Sequence, residues 1–268
     1  MLKKIRLSLR DFWRYRYLLR NLINKDFKLK YRRSILGVVW SVLNPLMMNV
    51  IMVVVFSTIL QAADPKAFSV YLLCGQLLFN FFSDSTTSAM SSMFGAAPLI
   101  RKVYIPKYLF PLEKVCFSLV NCLLSFIALI IVLIFNSSPI HITMLLFPVP
   151  LLLLFFFSLG MGMILSTVAV FFRDIIHLWQ VFIVALNFTS AIFYYPETFG
   201  NEGMGAVLHT ILNCNPVYWY LHAFRQLVVY GEWITGFELL RCAVAAVVAM
   251  LLGVAVFYRK QDKFVLHL

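Results

Sequence analysis

Residues 98–114 read PLIRKVYIPKYLFPLEK, with four cations, three prolines and two tyrosines between two long apolar runs. Pro106 and Pro111 each lack a backbone donor and are expected to stop helices from running through the segment. A stretch this basic does not stay in hydrocarbon, so it marks a place where two apolar runs come back to water. The chain around it is 268 residues long and 62% hydrophobic, with a mean hydropathy of +0.88. Soluble domains are about half apolar, so a bilayer is the better solvent for most of this sequence.

A helix needs about 20 mainly apolar residues to span a bilayer. Six stretches qualify, at about 35–60, 67–95, 115–135, 148–171, 176–195 and 238–258. With the N-terminus inside, the inner segments 1–34, 98–114, 172–177 and 259–268 carry twenty of the 23 Lys and Arg residues. The outer segments 61–66, 136–147 and 196–237 carry only Lys66 and Arg225. That bias follows the positive-inside rule. It places both termini in the cytoplasm and makes the net charge of +12 a matter of orientation, not of nucleic-acid binding. The expected fold is therefore an all-α polytopic membrane protein with six transmembrane helices. Its parts are a cytoplasmic segment 1–34, a transmembrane domain 35–258 and a tail 259–268.

Residues 5–30 read as an amphipathic helix at the inner membrane surface. Arg10, Arg14, Asn21, Lys25, Lys28 and Arg32 share one face, and Phe12, Tyr15, Leu19, Leu22, Ile23 and Phe27 the other. A basic face opposite an aromatic and aliphatic one suits the headgroup boundary. Arg32 and Arg33 mark the start of the first span, Trp40 suits its interface, and Pro45 should kink it. The first 34 residues lack the h-region and cleavage site of a signal peptide.

The second expected span contains FNFFSDSTTSAMSS, where Asp84 lies among serines and threonines. A carboxylate facing lipid costs about 2.5–3.5 kcal/mol on insertion scales, so this face should meet protein or water. Two roles stand open for it, a transport path or interhelical hydrogen bonding. Phe79, Phe82, Ser83, Asp84 and Thr87 are the candidate channel-lining residues. In the fourth span Ser158, Gly162 and Ser166 recur every four residues and give a flat packing face. Arg173 and Asp174 make a tight inner turn to the fifth span. The outer segment 196–237 holds two short apolar stretches joined by NCNP. Neither is long enough to span, and both suit a re-entrant or surface helical hairpin, acting as a lid or as a passive cap.

The five cysteines show no CxxC spacing and the five histidines no HExxH, so metal and redox roles are not expected and no metal site is assigned. No GxxxxGK[ST] occurs; if transport is ATP-driven, the phosphate loop must come from another chain.

Four stretches in chain order carry a family resemblance. They are DFKLKYRRSILGVVWSVLNPL at the first span, the basic proline-bearing loop Pro98–Lys114, GMILSTVAVFFRDI at the fourth-to-fifth junction, and the outer hairpin joined at Asn215 and Pro216. Together they resemble the membrane subunit of type-2 ABC exporters for cell-surface polysaccharides, the O-antigen, capsule and teichoic acid group. The resemblance implies a homodimer in the cytoplasmic membrane. It also implies two copies of a soluble ABC ATPase that carry ATP and Mg²⁺, with no cofactor in this chain. The substrate it implies is a polyprenyl-diphosphate-linked glycan moving through an aromatic-lined conduit among membrane lipids. By the same resemblance Leu99, Ile100, Tyr104 and Ile105 would fill a cleft on the ATPase. Arg101, Lys102 and Lys107 would orient that contact, and Asn215, Pro216, Tyr218 and Trp219 are candidates for an outer gate. No separate sugar-binding domain follows the last span, so substrate choice is expected to rest on the conduit or on partners. The alternatives are a permease of this architecture for drugs, haem or lipids, an intramembrane glycan-processing enzyme, and a structural scaffold. For converging catalytic groups the inner loops offer Glu113, Arg173 and Asp174, which is thin for an enzyme. Replacing Tyr104 and Ile105 together with Asp is expected to uncouple ATPase docking, and unchanged export by that variant would sink the coupling role.

Overall fold

The computed structural model describes residues 2–32, 34–59, 64–100, 102–103, 105–200 and 202–264, with the backbone alone over 2–14 and at 59. Arg33, Arg101 and Tyr104 and the side chains of Arg10, Phe12 and Arg14 lie outside what is described. The described residues contain helices and no strands: α1 (Leu2–Tyr31), α2 (Trp40–Ile59), α3 (Pro65–Ile100), α4 (Leu109–Phe135), α5 (Pro148–Phe171), α6 (Ile175–Phe188), α7 (Met204–Cys214), α8 (Pro216–Arg225) and α9 (Gly236–Lys260).

Local chemistry explains several boundaries. Thr235 and Glu238 close a capping box at the start of α9, and Arg259 and Lys260 face the dipole at its end. Asn215 caps α8 by accepting from the Val217 N–H, with Pro216 at the first helical position. Pro98 stands inside the last turns of α3, and Pro111 inside the first turn of α4, where its missing donor has no partner to lose. Of the connection expected over 98–114, residues 98–100 and 109–114 are therefore helical, and the described residues around Pro106 between them are not.

Four helical stretches are long and apolar enough to cross a membrane: Gly37–Thr58, Leu109–Phe135, Ile142–Phe171 and Gly236–Lys263. The other two expected spans differ. α3 has 36 residues, about 54 Å at 1.5 Å per residue, well beyond a hydrocarbon core of about 30 Å. Its serine- and threonine-rich inner half is too polar to count as hydrocarbon span. α6 has only 14 residues, about 21 Å, and the chain leaves helical geometry at Thr189. The expected span 176–195 is thus a half-length helix followed by irregular backbone.

α3 sits at the centre, packed by α4, α5, α6 and α8, and contributes Phe68, Tyr71, Phe79 and Phe82 to the core. In lipid, helices gain little from burying apolar surface, so they associate through close packing. α5 supplies two flat faces. Gly162 lies against Ala89 of α3, flanked by the fully buried Ser158 and Ser166, as the serine–glycine spacing implied. A second face brings the backbones of α5 and α9 together, with Gly160 against Ala249 and Gly253 against Gly160.

A side chain at either glycine meets the facing backbone, which cannot rotate aside. Gly160→Val and Gly253→Val should each cost at least the overpacking penalty of about 1–3 kcal/mol. The check is the thermal unfolding midpoint of detergent-purified protein, with Gly236→Ala, where a Cβ meets open space, as the control that should not move.

Candidate functional site

The inner connection offers a mixed surface. Lys102 and Val103 are exposed and Leu99 is partly so. Ile100 and Ile105 instead pack back onto the core. Lys107 donates to the carbonyl of Gln261 at 2.6 Å, with its ammonium 5.8 Å from the Phe264 ring. Burial holds this ammonium below the usual lysine range, opposed by Asp262. The connection is thereby tied to the inner end of α9. At the neighbouring turn Arg173 lies 5.6 Å from the Phe94 ring of α3. Asp174 precedes α6 and makes no side-chain cap bond.

The last turns of α1 are held to α4. Asp26 pairs with Lys114, the Phe27 and Phe117 rings meet edge-on at 5.0 Å, and the Tyr31 hydroxyl donates to Asn121 Oδ1 at 3.1 Å and contacts Ser41. Along this seam two clefts open against α3. The upper one, about 320 Å³, is lined by Lys30, Trp40, Asn44, Asn80, Asp84 and Asn121 among others. The lower one, about 410 Å³, is lined by Thr87, Ser91, Asp26, Glu113 and Lys114 among others. Of the five expected lining residues, Asp84 and Thr87 reach these clefts. Phe79 and Phe82 are fully buried in the protomer core, where Phe82 stacks on Phe157 at 5.7 Å. Ser83 is half-buried, and its carbonyl accepts from Thr86.

The outer hairpin is rooted by a residue that the charge pattern had assigned only to the outer side. Arg225, 1% exposed, lies with its guanidinium carbon 3.6 Å from the centre of the Tyr71 ring. It donates to the carbonyls of Ala191 at 2.9 Å, Tyr71 at 3.2 Å and Ile192 at 3.5 Å. A Cβ at Gly75 would strike the guanidinium, so the glycine makes the seat. The Tyr71 hydroxyl donates to the carbonyls of Ala191 and Tyr194 at 3.1 and 3.0 Å. Asn215 donates to the Thr189 carbonyl at 3.1 Å and the Ser190 hydroxyl at 2.9 Å. Backbone left unpaired by the end of α6 is thus satisfied by side chains of α3 and of the α7–α8 junction and the end of α8. Ala191, at φ +49°, is held in a left-handed conformation that costs a non-glycine residue about 1–3 kcal/mol.

The remaining gate candidates lie around this root. Tyr218 is half-buried beside His222 at 5.7 Å. Trp219 donates to the Asn213 carbonyl at 3.0 Å and faces Arg241 at 5.2 Å. His222 and Gln226 both reach Glu238 at the start of α9, at 3.4 and 3.0 Å. α8 is therefore anchored on two sides, whereas α7 exposes Met204, Val207 and Ile211.

Long apolar helices describe an integral membrane protein. The pattern of the ABC-2 type transporter matches residues 17–229, which run from α1 through the rooted hairpin. The chain belongs to the ABC-2 type transporter family. Relatives of this ABC-2 chain include the O-antigen export system permease protein RfbA of Myxococcus xanthus, 27% identical over 258 residues, covering 95% of this chain and 96% of the relative. Two proteins of the same name from Klebsiella pneumoniae are 28% and 25% identical. The first alignment covers 78% of each chain. The second covers 90% of this chain and 91% of the relative.

In this ABC-2 chain the sequence reading missed Arg225 and Tyr71 as a pair. A lone arginine inside the apolar run 216–230 was the available signal. Replacing Arg225 with Met removes the donors but keeps the length; the Ala191 carbonyl keeps the Tyr71 hydroxyl, and the Ile192 carbonyl loses the Arg225 donor, at about 1–3 kcal/mol for a group left without a partner. In a Cys214→Ser background, maleimide labelling of the buried Cys74 and Cys242 should then rise well above that of the parent, and Arg225→Lys should fall between the two.

Proposed function

We propose that this chain is the membrane subunit of an exporter that moves an O-antigen-type, polyprenyl-diphosphate-linked polysaccharide across the cytoplasmic membrane. The observation that carries the reading is the alignment with an O-antigen export permease from Myxococcus xanthus over 95% of this chain and 96% of the relative. ATP and Mg²⁺ are bound by two copies of a separate ABC ATPase, in keeping with the lack of a GxxxxGK[ST] segment here. The ATPase docks on the inner connection through Leu99, Lys102 and the neighbouring Arg101 and Tyr104, and the cation distribution puts both termini on that side. Two copies of the chain form the conduit, because the helices of one chain make only half a wall. α2 and α6 supply exposed apolar surface for that pairing, including Met47, Val50, Val54, Leu178 and Val181.

A permease for a drug or lipid is the second reading, since the family match alone names no substrate. Depleting the chain should lower surface polymer while lipid-linked polymer accumulates inside, measured by mass spectrometry of both pools. Neither pool changing would favour the drug or lipid permease. A fall in both would point to synthesis and reopen the enzyme reading.

A further inference from the structure

The upper cleft contains a feature that export as such does not explain. Asn80 and Asp84, one helical turn apart on α3, and Asn44 on α2 are exposed in it. Among the described residues none of the three side chains makes a hydrogen bond or ion pair. Lys30 is the cation whose field reaches Asp84, yet no salt bridge joins them. The cleft lies at the level of the first turn of α2, Asn44 standing about 6 Å beyond Trp40 along the helix axis, and hence near the inner headgroup boundary. A carboxylate and two amides facing acyl chains at that level would be costly, so the cleft holds something polar.

The chemistry selects among occupants. The walls are already satisfied, since Tyr31 bonds Asn121 and Ser125 bonds the carbonyls of Ser41 and Asn121. What remains free is an amide, a second amide and a carboxylate, beside the exposed indole of Trp40 and the Lys30 ammonium, which lies over the rings of Tyr31 and Phe117. Amides and a carboxylate match paired hydroxyl groups, which both donate and accept, and an indole face takes the C–H face of a ring. A phosphate or diphosphate would meet one lysine and the opposing charge of Asp84. The volume, about 320 Å³, is at the lower end of the roughly 300–1,000 Å³ of small-molecule sites, suited to a single building unit and not to a polymer.

We propose that the cleft between α1, α2, α3 and α4 binds a neutral sugar unit, with Asn44, Asn80 and Asp84 reading its hydroxyls and Trp40 stacking on its ring. The site rests on the reading of the chain as a glycan exporter. It lies on the flank of α3 away from Phe79 and Phe82, with one copy in each protomer, and so meets a glycan at the inner leaflet before any conduit does.

The test uses the full chain in nanodiscs of phosphatidylcholine and phosphatidylglycerol, titrated with oligosaccharides released by mild acid from the host's own surface polymer and followed by saturation-transfer NMR. Binding to the parent is expected, at least ten-fold weakened in Asp84→Asn and in Trp40→Ala, and unchanged in Leu252→Ala on the exposed face of α9. Each variant is accepted only with a parental thermal midpoint. Should Trp40→Ala fail that criterion, Asn44→Ala takes its place with the same expectation. Equal affinity in all variants overturns the site, as does no binding by the parent. Displacement of the sugar by phosphatidylethanolamine added to the nanodisc overturns it in favour of a lipid headgroup site. If depletion traps polymer inside while these variants bind normally, only the cleft assignment fails. If depletion leaves both polymer pools unchanged, the exporter reading fails with it.

Discussion

Hydrocarbon offers no partners to a backbone, so every N–H and C=O at membrane depth must be satisfied from within the protein. α6 breaks this rule locally by ending half-way, and the irregular residues 189–195 that follow are the point on which the outer half of the molecule is organised. Tyr71, Asn215 and Arg225 converge there because carbonyls need donors. The carbonyls at a helix C-terminus carry partial negative charge. Together with the Tyr71 ring face and the Tyr71 and Ile192 carbonyls, they take the place of a counter-ion for a buried guanidinium. Gly75 on α3 leaves the space. The position of the hairpin is thus set by polar satisfaction, with apolar packing of Tyr220, Leu221 and Phe224 around it.

α3 links this root to the connection 98–114 at its other end. One continuous helix carries Tyr71 at the outer side, the polar face with Asn80 and Asp84 further in, and Leu99 and Ile100 at the inner connection. α4 runs beside it and holds α1 by an ion pair and an aromatic contact. Lys107 joins the same region to α9, which is backed onto α5 by glycine contacts. The connection 98–114 is therefore tied to α3 and to α9 at once.

Hydropathy and length made α2, α4, α5 and α9 legible in the sequence, and period made α1 legible: the face with Leu19, Leu22 and Phe27 is the half-buried one. The short apolar stretches joined by NCNP are α7 and α8. The end of α6 was not legible, because Ile192 and Phe193 continue the apolar run while Thr189 and Ser190 are unremarkable in a span. The reach of α3 through Pro98 was hidden for the opposite reason, as a proline near a helix end costs less than one in its middle. Arg225 was counted with the surface cations, since a tally of charges along a chain carries no information about depth. The surroundings of Asp84 depended on α1 folding back along α4, a contact between residues some 90 positions apart, which no local pattern encodes.

The Arg225 seat also constrains how the chain is made. Its partner carbonyl at Tyr71 lies 154 residues earlier, so α3 enters the membrane long before the guanidinium that fills its notch has been synthesised. Until then the backbone beyond α6 has no donors from α8, and a charged arginine has no place in the bilayer. The seat is therefore complete only once α8 has been made and packed against α3 and the backbone that follows α6.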